Sequence, residues 1–220
     1  MDERIESARR LYERAVFEGD AAALAEAGRS LDGVEADLAL ARGRLLHTRF
    51  LQQRDEGPGQ ASEDPAELPI FDRAVRLYRA LGDVRGEAEA LFWVGCFHQV
   101  VRRDNGTAVP LLDRSLELAT QAGDKMTTSE ALRHLGIAAH AAGRLDEARA
   151  RLEESTLLRR ELGQPAGVAA NLIGLGYIAA GQGRRDDALA ILAEAADLAT
   201  ASGAHRILCS VEEAQAALAG

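Results

Sequence analysis

The chain repeats itself. Slid by 40 or 41 residues it aligns turn glycines at Gly82, Gly123, Gly163 and Gly203, and a second series at Gly95, Gly136 and Gly176. Each of the second series follows a leucine four residues earlier (Leu91, Leu132, Leu172) and comes directly after Val94, Leu135 or Leu175. Later in the period Ala108, Ala148 and Ala188 align, then Leu112, Leu152 and Leu192, then Ser115, Ser155 and Ala195. Leu77, Leu118, Leu158 and Leu198 complete the register. A fixed period of this length marks a stacked array whose units bury their apolar faces on one another.

Within a period, apolar and small residues recur three and four apart on both sides of a short polar break, so each unit reads as two amphipathic helices. Asp104-Asn105-Gly106, Gly143-Arg144-Leu145-Asp146 and Gly181-Gln182-Gly183-Arg184 supply those breaks, and the Gly82 series ends each unit as a helix C-cap. A glycine within a helix costs about 1 kcal/mol relative to alanine. Gly95, Gly136 and Gly176 are therefore expected where a neighbouring helix comes close, with Ala108, Ala148 and Ala188 opposite. The fold class is all-α, a right-handed α-solenoid of antiparallel helix pairs. Composition agrees: apolar residues make up 47 %, aromatics only 4 %, and prolines number five in 220 residues, leaving long stretches free to be helical.

The first third is looser. Residues 1–31 form N-terminal helices, a degenerate repeat or cap, with candidates at Glu3–Phe17 and Ala21–Arg29. The array proper occupies 32–203, opening with a helix at Val34–Gln53 in which Gly43 stands for the helix glycine. A polar insert at 54–67, RDEGPGQASEDPAE, carries two prolines and two glycines and reads as a mobile or extended loop. A capping helix at about His205–Leu218 closes the chain within 204–220.

Segments such as EALRHLGIAAHAAGRLDEARARLEESTLLRRELG and AANLIGLGYIAAGQGRRDDALAILAEAADLATASG carry Leu, then Leu-Gly, a turn, then Ala, Leu and a small residue. In this the chain resembles the tetratricopeptide repeat (TPR) family in its long-period bacterial form of about 40 residues, over roughly Asp32 to Gly203. It is also similar to tandem repeats in the sensory regions of large bacterial transcriptional activators. It departs from the family in placing Leu91, Leu132 and Leu172 where a bulky aromatic is usual, His98, Ala139 and Ala179 where tyrosine is usual, and no closing proline. The resemblance implies an interaction module that holds a protein or peptide partner in a concave groove.

Charge narrows the partners. Twenty-six basic against 35 acidic residues give a formal charge of −9, which excludes a surface built to coat nucleic acid. No stretch approaches the roughly 18 apolar residues of a membrane span, and the opening MDERIESARR lacks a signal-peptide core, so the expected location is cytoplasmic and no membrane partner is expected. Cys96 and Cys209, 113 residues apart, fit a reducing compartment without a disulfide. No cofactor or metal is expected. Gly174-Leu175-Gly176 lacks the dinucleotide-binding spacing, His134 and His140 are six apart, and Glu130 with His134 is half of a metal-binding pattern. The arginine pairs Arg9-Arg10, Arg102-Arg103, Arg159-Arg160 and Arg184-Arg185 are read as helix-end or outer-face residues.

In such a stack the first helix of each pair lines the concave surface. Offsets from the helix glycine then select Arg44 and His47; Phe92, Cys96 and Gln99; Arg133, Ile137 and His140; and Ile173 and Tyr177, with Glu89 and Glu130 one turn earlier. Arg44 and Arg133 are candidates to bind an anion, and Phe92, Ile137, Ile173 and Tyr177 form an apolar floor. The competing reading has Glu89 and Glu130 in salt bridges with neighbouring arginines. On the groove reading, Phe92→Ala with Arg133→Ala abolishes ligand capture and leaves helicity intact.

Two other functions use the same residues. A small-molecule sensor or carrier would close the groove with the insert. An enzyme would use His47, His140 or Glu89 as acid or base, in a site that excludes water. Self-association into a homodimer is also open, through the Ala- and Leu-rich helix at Val211–Leu218.

Overall fold

The computed structural model describes residues 2–57 and 59–219, with the side chain of Ala219 excepted. Among them are ten α-helices and no strand. They group into two compact units, Met1–Ala122 and Gly123–Gly220.

The first unit holds α1 (Glu3–Glu18), α2 (Ala21–Glu56), α3 (Glu67–Leu81), α4 (Val84–Val100) and α5 (Asn105–Ala122). The second holds α6 (Lys125–Ala141), α7 (Leu145–Glu161), α8 (Pro165–Gly181), α9 (Arg185–Ala201) and α10 (His205–Ala219). Each helix packs on the next in its unit, and short turns join all but α2 and α3, so the pairs α4/α5, α6/α7 and α8/α9 are antiparallel hairpins. Asp20, Asp83 and Asp124 cap α2, α4 and α6, each side chain accepting a backbone N–H from the first turn. The capping helix expected near the end is α10, which buries Val211 and Ala214 against its own unit.

The helix glycines do what the repeat required. A Cβ at Gly95, Gly136 or Gly176 would stand 2.8, 3.0 or 2.9 Å from Cγ of Leu112, Leu152 or Leu192. The nearest backbone atoms are the carbonyl oxygens of Ala108, Ala148 and Ala188, at 3.4, 3.3 and 3.6 Å. Each leucine is at most 2 % exposed, so its side chain fills the space the glycine leaves. The aligned serines add a polar link one turn on. Ser115 Oγ donates to the Ala88 carbonyl at 2.7 Å and Ser155 Oγ to the Ser129 carbonyl at 2.6 Å.

Three expectations need correction. Ala21–Arg29 and Val34–Gln53 are one 36-residue helix, α2, which runs unbroken through the boundary expected at 31–32. It holds no proline, Gly28 and Gly33 keep negative φ, and α1 and α3 pack along it, so weak local propensity is overridden. The insert is shorter than expected: α2 continues to Glu56 and α3 begins at Glu67. Its later part is tied down, Arg102 Nη2 and Nε donating to the two Glu63 carboxylate oxygens at 2.7 and 3.0 Å; Pro58 lies outside the described residues. Asn105 and Gly106 belong to the first turn of α5, whose start is capped by Asp104 through Thr107 N–H at 3.0 Å and Thr107 Oγ1–H at 2.6 Å. Arg159 and Arg160 stand in the last turn of α7, a helix end, where Arg159 is buried at 4 % exposed.

The turn before α5 has its left-handed residue at Arg103, φ 56°, where the equivalent turns have Gly143 and Gly183, φ 74° and 76°. A side chain in this region costs about 1–2 kcal/mol, part of which glycine returns by loosening the unfolded chain. Arg103→Gly is expected to raise the unfolding free energy by about 0.5–1 kcal/mol, read as a higher urea midpoint at unchanged slope.

Candidate functional site

The row of residues selected from the sequence divides between the units. In the second unit α6 and α8, the first helices of their pairs, touch each other. Of the selected residues on α6, Glu130, Arg133 and Ile137 are partly exposed and His140 is exposed. Along α8 they are Ile173, partly exposed, and Tyr177, 38 % exposed. All six are accessible, and each helix's share lies at three- and four-residue spacing on one face.

Glu130 has a firm anchor. Its carboxylate pairs with Arg159 Nη2 at 2.7 Å, and Arg159 Nη1 donates to the Gly167 carbonyl at 3.0 Å. A Cβ at Gly167 would stand 2.8 Å from Arg159 Nη1, so glycine at this position leaves room for the buried guanidinium. The competing reading of the sequence put Glu130 in a salt bridge with a neighbouring arginine; a bridge exists, to Arg159, and its cationic half is buried. Beneath it Asn171 Nδ2 donates to Ser155 Oγ at 2.8 Å, joining α8 to the serine bonded to α6.

In the first unit Arg44, Glu89 and Gln99 are partly exposed, but the other selected residues are closed off. Phe92 and Cys96 are both 4 % exposed, and His47 is 3 % exposed. They offer a ligand no surface, because α2, α3 and α4 pack around an aromatic cluster: Phe71 stacks on Trp93 at 5.7 Å and 10°, while His47 and Phe92 meet Trp93 edge-on at 5.6 and 5.2 Å. Arg44 lies over the Trp93 ring at 5.5 Å and pairs with Glu89. Burial pulls its guanidinium below the ordinary arginine value. Arg44, expected to bind an anion, is thus engaged with Glu89, and the groove candidate Gln99 donates to Asn105 Oδ1 at 3.1 Å. Phe92→Ala would open the core rather than strip a groove, so the double substitution with Arg133 does not isolate binding.

His47 belongs to a buried polar chain instead. Its Nδ1 lies 2.7 Å from Glu67 Oε1, and its Nε2 3.7 Å from Cys96 Sγ. Glu67 is 0 % exposed and its second oxygen, Oε2, is buried without a hydrogen-bond partner. Carboxylate, imidazole and thiol in this order resemble a nucleophilic relay, but all three are closed off from substrate, and Glu67 and Cys96 flank opposite sides of the ring, which rules out joint coordination of one metal. Among the described residues no group of three or more ligating side chains is placed to hold a metal. Neither cysteine is in a disulfide.

Glu67 and Trp93 were missed from the sequence. Glu67 reads as the last residue of a polar insert, and only the pairing of α2 with α3 brings it to His47. The insert does border a cavity of about 200 Å³, lined in part by Arg49, Phe50, Glu63 and Asp64. It is smaller than the roughly 300–1,000 Å³ of ordinary ligand pockets.

The tetratricopeptide repeat family model matches residues 101–161 and 127–201. The crystal structure of BtubC (BKLC) from P. vanneervenii is similar over 91 % of this chain and 90 % of that chain, at 18 % identity and a TM-score of 0.47. Comparison with curated proteins gave no match. No helix among the described residues is long and apolar enough to cross a membrane. From 101 to 201, where helix pairs, close-packed glycines and turn glycines recur in register, the chain is an array of tetratricopeptide repeats.

Proposed function

We propose that the chain is a protein-interaction module of the cytoplasm whose docking face is formed by α6 and α8, and that its ligand is an extended peptide with apolar side chains and a carboxylate. Repeats of this family generally mediate contacts between proteins. The observation that carries the narrower reading is that Ile137, Ile173 and Tyr177 stay accessible on two touching helices, beside Arg133, while their counterparts on α4, Phe92 and Cys96, are buried. An exposed tyrosine beside two part-exposed isoleucines supplies apolar contact area with few rotamers to freeze. Arg133 adds charge-assisted hydrogen bonding to a carboxylate, and Glu130, held by Arg159, disfavours a second acidic group one turn away.

A displayed library of random peptides with free carboxyl termini, selected on the full chain, tests this. Enriched peptides are expected to bind at least about tenfold more weakly to Tyr177→Ala and to Arg133→Ala, the usual loss for a central anchor, with unchanged helical circular dichroism. Equal binding to both variants would move the docking face elsewhere.

A further inference from the structure

The outer face of α2 carries Leu24, Leu31, Leu38 and Leu45, spaced by seven and 57, 47, 46 and 63 % exposed. A seven-residue spacing returns to nearly the same side of a helix, drifting by about 20° per heptad, so the four leucines form one long stripe. None of these four leucines belongs to the buried core, whose α2 members are Ala36, Ala39, Leu40, His47 and Phe50 among others. The stripe spans three heptads, about 31 Å at 1.5 Å per residue.

The two halves of this face differ. Over the first half α1 runs alongside, and Ile5 and Tyr12 join Leu24 and Leu31 around an open apolar hollow of about 530 Å³. Tyr12 is 57 % exposed. Over the second half Leu38 and Leu45 project as knobs, flanked by exposed Ala41 and by exposed Arg42 and Arg49. Hollow and knobs are parts of one surface, on one helix. A second copy laid antiparallel sets the knobs of each into the hollow of the other, the closed two-fold contact in which one patch meets itself. A parallel copy would set hollow on hollow and bring Arg42 and Arg49 against their own counterparts. A contiguous exposed apolar patch of this kind marks an interaction surface.

We infer that the protein forms an antiparallel homodimer through α2, with Leu38 and Leu45 of each copy seated between Ile5, Tyr12, Leu24 and Leu31 of the other. This is independent of the peptide face on α6 and α8. Sedimentation equilibrium of the full chain is expected to give twice the chain mass at micromolar concentration. Leu31→Lys with Leu38→Lys, both surface changes, is expected to raise the dissociation constant about 100-fold or more with helicity and urea midpoint retained at low concentration. Orientation is read in a Cys209→Ser background: a mixture of Leu24→Cys and Leu45→Cys chains is expected to cross-link to each other under mild oxidation, and neither to itself. A monomer at every concentration, a dimer indifferent to the two lysines, or self-cross-linking of Leu24→Cys would each overturn the inference.

Discussion

Gly43→Ala is expected to lower the unfolding free energy by about 2–3 kcal/mol, although alanine gains about 1 kcal/mol over glycine in a helix. The added Cβ would stand 2.7 Å from Cδ1 and Cζ of Phe71. Phe71 is 0 % exposed and stacked on Trp93, so the ring has nowhere to withdraw. The equivalent change at Gly136 meets Leu152 Cγ at 3.0 Å and the Ala148 oxygen at 3.3 Å, a milder conflict, and is expected to cost less. Urea denaturation measures both. Phe71→Leu introduced with Gly43→Ala is expected to recover part of the loss, because it removes the ring that the new methyl strikes. A stabilised Gly43→Ala would mean that Phe71 does not sit over α2.

The other large effect concerns the buried chain from Glu67 to Cys96. Glu67→Leu is expected to destabilise by about 3–5 kcal/mol, because it leaves His47 Nδ1 in the core without its acceptor. His47→Leu strands the Glu67 carboxylate and is expected to cost as much. The double substitution is expected to come within about 1 kcal/mol of the original chain, since two apolar groups of similar volume leave nothing polar unpaired. A double-mutant cycle in urea reads this coupling directly. Additive single effects would show that the two residues do not interact.

The repeat part of the fold was legible because its constraints are local. Gly95, Gly136 and Gly176 recur at a spacing that only close helix packing explains, and the Leu112, Leu152 and Leu192 side chains fill the space they leave. The turn glycines recur for a backbone reason and are found at positive φ. The first unit was harder. Nothing in Ser30-Leu31-Asp32-Gly33 forces a helix; packing by α1 and α3 does, and that is not written in any one window.

The same division applies to the candidate site. Helical offsets select Arg133, Ile137, His140, Ile173 and Tyr177 in the second unit, and all five are accessible there. Applied to the first unit they put Phe92, Cys96 and His47 on a groove, where the structure buries them. The offsets fix a residue's angle around its helix but not what the next element lays over it, here an aromatic cluster built on Phe71 and Trp93. Glu67 was lost for a related reason. A glutamate next to a run of Gly, Ser and Pro looks solvated until the helix that it begins is packed on the helix that carries His47.

The docking face is tested most directly by isoleucine methyl NMR. The seven isoleucines report from across both units: Ile5 and Ile70 in the first, Ile137, Ile173, Ile178, Ile191 and Ile207 in the second. With the chain labelled at its isoleucine δ1 methyls and titrated with a peptide enriched from the displayed library, the largest shifts are expected at Ile137 and Ile173, with Ile5, Ile70 and Ile207 unmoved. Shifts centred on Ile5 or Ile70, with Ile137 and Ile173 unchanged at saturation, would contradict the assignment of α6 and α8 as the binding face.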